Sequence, residues 1–168
     1  MNALEVLFTR RSIRKYTSEP VSEEDLRTIL EAAMNAPSAN NRQPWHFLVV
    51  DGRDRLEAMM AIHPYARMLA EAPIGILVVA DVSKSPRFFQ QDCAAATENL
   101  LLAARALGLG TCWTGVFPDE GRVDGLKELF GIPDPFVPFA LIALGHPAED
   151  RGRVERWMMG SFTATTGK

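Results

Sequence analysis

Ile74-Gly75-Ile76-Leu77-Val78-Val79-Ala80 is an unbroken apolar run, and it limits the possible folds more than any other stretch of the chain. Its length suits a strand and falls far short of a membrane span. A strand with no polar positions has no face for water, so the run predicts a central strand covered by other layers on both sides. Helical patterns supply that cover. Ser22 predicts an N-cap for a helix from residue 23 to about 35, with acids in its first turn and Leu26, Ile29, Leu30 and Ala33 at helical spacing. Pro37 ends it.

The clearest helical pattern covers residues 87–107, with Gly108 placed as its C-cap. Its alanines and leucines make it apolar on most faces, which predicts burial nearly all round and room for another helix to approach. Shorter helices are expected at 53–60 and 123–130. Strands are expected at 46–50, 111–116 and 139–144, and Pro138 predicts a bulge or an edge at the last of them. No repeat or linker interrupts this order, so 168 residues predict one α+β domain spanning 1–168, with a flexible polar tail over 163–168.

Charged residues at 23% and apolar residues at 47% describe a globular chain. A net charge of −3 argues against general nucleic-acid binding, and the absence of any long apolar run argues against a membrane span. Cys93 and Cys112 stand alone, as do His46, His63 and His146, so no metal site is expected. Two lone cysteines and no apolar leader point to the cytoplasm.

Two polar clusters do not look like packing elements. Arg10-Arg11-Ser12-Ile13-Arg14 crowds three cations and a hydroxyl into five residues. If helical, Arg10 and Arg14 share a face; if extended, they straddle Ser12. The second cluster, Pro37-Ser38-Ala39-Asn40-Asn41-Arg42-Gln43-Pro44, offers amide donors and acceptors. Arg151, Arg153 and Arg156 form a later basic group. Guanidinium forks match phosphate oxygens in pairs, so an anion held between the basic groups would explain both. The alternatives are a solvated helix end, a helix-ending loop and a basic tail. Nucleotide-binding glycine loops, nucleophile elbows and metalloprotease helices are all missing from the sequence. That leaves chemistry supplied by a cofactor.

Several motifs in one order resemble the nitroreductase family. They are Arg10-Arg11-Ser12-x-Arg14, Pro37-Ser38-x-x-Asn41-x-Gln43-Pro44-Trp45, Gln91-Asp92-Cys93-Ala94-Ala95-Ala96, Gly108-Leu109-Gly110-Thr111-Cys112-Trp113-Thr114-Gly115 and Leu144-Gly145-His146-Pro147-Ala148-Glu149. The likeness runs from Arg10 to about Trp157.

The resemblance implies an α+β sandwich, a mainly antiparallel sheet flanked by helices, in a homodimer with FMN sites at the subunit interface. By position, Arg10, Arg11, Ser12 and Arg14 would hold the phosphate, ribityl chain and pyrimidine edge. Ser38, Asn41 and Gln43 would come from the partner subunit, and Trp113, Thr114 and Gly115 would lie along the flavin ring. Arg156, with Arg153 second, would close on the phosphate. Arg14 would stabilise reduced flavin, and no side chain would act as a nucleophile.

The implied reaction takes hydride from NAD(P)H and reduces nitroaromatic or quinone-like small molecules by a ping-pong mechanism. The short stretch 59–73 leaves no room for a long lid. An open, apolar pocket lined by Met68, Phe88 and Phe89 is therefore expected. Flavin storage or sensing, reductive dehalogenation and enone reduction are the competing readings.

Overall fold

The computed structural model of the chain describes residues 1–156. The expected tail at 163–168 and Trp157, where the resemblance ends, lie outside the described residues. Four strands, β1 (Trp45–Val50), β2 (Ile74–Asp81), β3 (Gly110–Gly115) and β4 (Phe136–Gly145), form one antiparallel sheet in the order β1-β2-β4-β3. The helices are α1 (Ala3–Thr9), α2 (Glu23–Met34), α3 (Arg53–Ile62), α4 (Phe89–Ala106) and α5 (Glu120–Phe130). This is the expected α+β class.

β2 is buried at every position, and its period of two, with both faces covered, explains why it carries no polar residue before Asp81 at its end. Ile74, Ile76, Val78 and Ala80 join a core with Ile29 and Ala33 of α2 and Ala96 and Leu100 of α4. Leu77 and Val79 join a second core with Leu56 and Met59 of α3 and Leu126 of α5. The sheet is thus the middle of three layers.

The predicted caps form. The Ser22 hydroxyl accepts from the Asp25 N–H at 3.0 Å. Gly108 takes a left-handed φ of 81°, and the Leu109 N–H reaches back to the Ala104 carbonyl at 2.8 Å, closing α4.

One expectation resolves to one of its two alternatives, and one needs correction. Pro138 lies on an interior strand, since β4 pairs with both β2 and β3. The register slips between Val78 and Val79, opposite Pro138, so the residue without an N–H occupies a bulge and not an edge. α4 is also not enclosed all round. Its Ala94, Ala95, Glu98 and Leu102 stripe stays half-buried, because α2 and the sheet cover only the other side. Beside that stripe α1 buries only Val6 and leaves Leu4, Leu7 and Phe8 exposed.

Candidate functional site

The basic segment is extended. After α1 ends at Thr9, the chain runs beside β3, with Ser12 bridged to Thr111 and the Ile13 N–H donating to the Thr111 carbonyl at 2.9 Å. Gly110 allows this approach, because a Cβ there would lie 2.9 Å from Ile13 Cγ2. The Tyr16 hydroxyl pins the segment by donating to the Ile13 carbonyl at 2.7 Å. Arg10 and Arg14 therefore straddle Ser12.

Glu149 sets the other wall. Its carboxylate accepts from the Arg14 N–H at 2.6 Å and from Arg151 Nε at 3.0 Å. These donors, the Arg14 amide foremost, hold its pKa below the usual carboxylate range. The Arg11 guanidinium donates to the Arg151 and Gly152 carbonyls, tying the late basic segment to the early one. The result is a cavity of about 200 Å³ lined by Arg10, Arg11, Ser12, Arg14, Arg151 and Arg156. Arg10 is partly neutralised by Glu98 at 3.3 Å. Among the described residues, the Arg14 guanidinium has no ion-pair partner.

Both late arginines named from sequence line a cavity of about 390 Å³ with Arg10, Arg11 and Phe8. Arg156 also lines the cation cavity, whereas Arg153 lies 4.7 Å above the Phe8 ring and pairs with Glu155. Arg151, read from the sequence as part of the later basic group, also lies on the cavity wall.

Arg14 also borders a second cavity, of about 390 Å³, with Trp113, Thr114 and Gly115 on its floor. The Thr114 hydroxyl is committed to the Leu141 carbonyl at 2.9 Å. The backbone is what this edge strand presents. Thr111 turns its carbonyl away from β4 toward Ile13, and alternation turns Trp113 and Gly115 the same way. Their N–H groups therefore point outward beside Arg14.

His63, Tyr65 and Arg122 complete this cavity, and sequence reading missed all three as site residues. Buried His63 donates from Nε2 to the Gly115 carbonyl at 2.8 Å, and its Nδ1 accepts from the Tyr65 N–H at 3.3 Å. Burial pushes its pKa down, so the ring is a neutral brace. Arg122 donates to the same carbonyl at 3.0 Å and lies 5.3 Å above the exposed Tyr65 ring.

Met68 lines this cavity as expected, but Phe88 and Phe89 do not. Phe89 packs edge-on against Phe117 at the start of α4. The pocket is also more cationic than expected, with Arg14 and Arg122 facing it. Cys112 lies on its wall, but burial raises the thiol pKa and leaves no reactive thiolate.

Ser38, Asn41 and Gln43 are elsewhere. The 3-10 turn Ala39–Asn41 just precedes β1, and the Ser38 hydroxyl accepts from the Gln43 N–H at 3.0 Å. Asn40, Asn41 and Gln43 all have left-handed φ, between 47° and 53°. That costs roughly 1 kcal/mol or more per residue, strain that clusters at functional loops. Gln43 precedes the strand at one sheet edge, and Ser12 flanks the strand at the other. The strand registers also set them at opposite ends, so the two clusters are on the order of 30 Å apart. One chain does not bring them together.

A guanidinium-lined cavity shares Arg14 with a second cavity walled by the outward N–H groups of a sheet edge, an arrangement suited to a small anionic ligand. Comparison then gives the family. The Nitroreductase family model matches residues 7–66 and 61–146, and the chain belongs to that family. A protein of Methanothermobacter thermautotrophicus, provisionally named NADH dehydrogenase/NAD(P)H nitroreductase, is 51% identical over 154 residues, 90% of this chain and 81% of that protein. A crystal structure of a Parabacteroides distasonis protein with the same provisional name superposes with a TM-score of 0.94 at 36% identity, covering 98% and 99% of the two chains. A provisionally named nitroreductase of Desulfovibrio desulfuricans, solved in complex with FMN, gives a TM-score of 0.81 at 36% identity over 95% and 93%.

Among the described residues, no helix is long and apolar enough to cross a membrane.

Proposed function

We propose that this chain binds FMN and acts in the cytoplasm as an NAD(P)H-dependent oxidoreductase of nitroaromatic or quinone-like acceptors. The observation that carries this reading is the cation-lined cavity sharing Arg14 with the cavity that holds the outward N–H groups of Trp113 and Gly115. The donor set fits FMN. Arg10, Arg11, Ser12, Arg14 and Arg156 would hold the phosphate, ribityl and pyrimidine groups, with Arg151 added and Arg153 a step removed. Backbone N–H donors along Trp113, Thr114 and Gly115 would meet the polar edge of the ring.

When bound, FMN supplies a ring that takes hydride from NAD(P)H and passes two electrons to an acceptor. Arg14 would bring a positive charge to the part of the ring that becomes negative on reduction, which would favour reduction. Gly115 is held by His63 and Arg122, so the strand edge keeps its position through the cycle. One open cavity serves donor and acceptor in turn, and ping-pong kinetics follow. Ser38, Asn41 and Gln43 would complete the site from a second copy. The separation of the clusters supports a homodimer, as do the exposed Leu4, Leu7 and Phe8.

The test is the visible spectrum of the purified protein, followed by anaerobic NADH and then NADPH. Flavin bands that bleach with one donor and return on adding a quinone or nitroaromatic are expected. Bound flavin that neither donor reduces would favour storage or sensing. A chain that takes up no flavin on reconstitution contradicts the reading.

A further inference from the structure

The Ser38–Gln43 loop holds three non-glycine residues at positive φ, and its internal hydrogen bonds, from the Asn41, Arg42 and Gln43 N–H groups, leave the Ala39 N–H to a partner outside it. The Arg42 guanidinium ties the loop to the Lys84 carbonyl at 3.1 Å, and its buried attachment is Asp92, a carboxylate only 4% exposed in the first turn of α4. One carboxylate oxygen accepts from the Ala39 N–H at 2.8 Å and the other from the Ser85 hydroxyl at 2.7 Å. Ser85 is itself buried, and its carbonyl accepts from the Phe88 and Phe89 N–H groups as α4 begins. A carboxylate is costly to bury, and here both oxygens have donors and the helix start favours negative charge. Packing alone would be met by an apolar side chain of similar volume. A carboxylate instead fixes one N–H, the one that opens the 3-10 turn.

The geometry points to Asp92 as the positioning residue of the flavin loop: it presets the strained Asn40-Asn41-Gln43 shape so that the amides meet the ligand of the second copy already formed. This rests on the functional reading above. Preorganisation of this kind acts on affinity, since an unanchored loop must be ordered when the ligand binds.

The experiment titrates FMN into flavin-free wild type, Asp92→Ala and Asp92→Asn by quenching of flavin fluorescence, with melting temperature and oligomeric state measured alongside. Asp92→Ala is expected to weaken FMN binding roughly 30-fold or more, a loss of loop order. Asp92→Asn keeps a carbonyl oxygen for Ala39 and an amide for Ser85, so it is expected to stay within about 5-fold of wild type. Asp92→Ala that melts lower yet binds FMN as wild type does would show a merely structural carboxylate and overturn the inference.

If Asp92→Ala does not fold, Ser85→Ala decides. It frees one carboxylate oxygen and is expected to weaken binding about 5-fold, and unchanged affinity overturns the assignment. Wild type that binds no FMN overturns the functional reading together with this one. Wild type that binds while Asp92→Ala is unaffected overturns this one alone.

Discussion

Arg10→Glu is expected to release FMN, weakening binding roughly 1,000-fold, about 4 kcal/mol. The substitution removes one guanidinium from a cavity lined by five arginines and a serine, and puts a carboxylate against the phosphate. At about 4 Å and an effective dielectric of 20, one unit charge is worth about 4 kcal/mol, and reversal counts it twice before screening. The fold itself should survive. The Arg10–Glu98 pair is partly exposed, and such pairs contribute at most about 1 kcal/mol. Flavin absorbance of the purified variant and equilibrium dialysis measure the loss. A variant that keeps one FMN per chain would remove the phosphate from this cavity.

Gly110→Val is expected to damage stability and flavin binding together. A Cβ at Gly110 would meet three Ile13 side-chain atoms at 2.9–3.0 Å, and Ile13 is buried with no room to retreat. Overpacking of this kind costs about 3 kcal/mol, or roughly 6–12 °C in Tm for a chain of this size. The strain has one easy outlet, which is to lift the 10–14 segment off β3. That would shift Ser12 and Arg14 away from the cavity. Thermal melts and FMN titration should therefore move in parallel, and Ile13→Ala should recover part of both losses. A variant with lowered Tm but undiminished FMN affinity would contradict this coupling.

Local periodicity and punctuation carried most of the fold. The apolar run of β2, the Ser22 cap and the Gly108 stop each depend on neighbours within a few residues, and each appears where the chain predicts it. Pro138 shows the limit. A missing N–H is satisfied equally by an edge or a bulge, and which one occurs depends on β3 pairing with β4 across the chain. α4 shows another, since composition gives the width of an apolar surface but not what covers it.

The cation cavity was legible from charge. Arg10, Arg11, Ser12, Arg14 and Arg156 line one cavity, where an extended basic segment meets the later basic group. His63, Tyr65 and Arg122 gave no warning. A lone histidine, an exposed tyrosine and a helix arginine become a unit only when three elements converge on the Gly115 carbonyl. Asp92 was visible as part of a motif, but its bonds to Ala39 and Ser85 exist only in three dimensions.

The central claim is that one flavin site takes its cations from one copy and its amides from another. The most direct measurement mixes two defective chains, Arg10→Glu and the double variant Asn41→Ala, Gln43→Ala, unfolds and refolds them together, and isolates the mixed dimer by distinct tags. Each homodimer should bind FMN poorly. The mixed dimer collects both defects in one site and leaves the other intact, so it should hold one FMN per two chains and bleach with the nicotinamide donor. A mixed dimer as empty as its parents would mean that each chain builds its site alone, and would contradict the account.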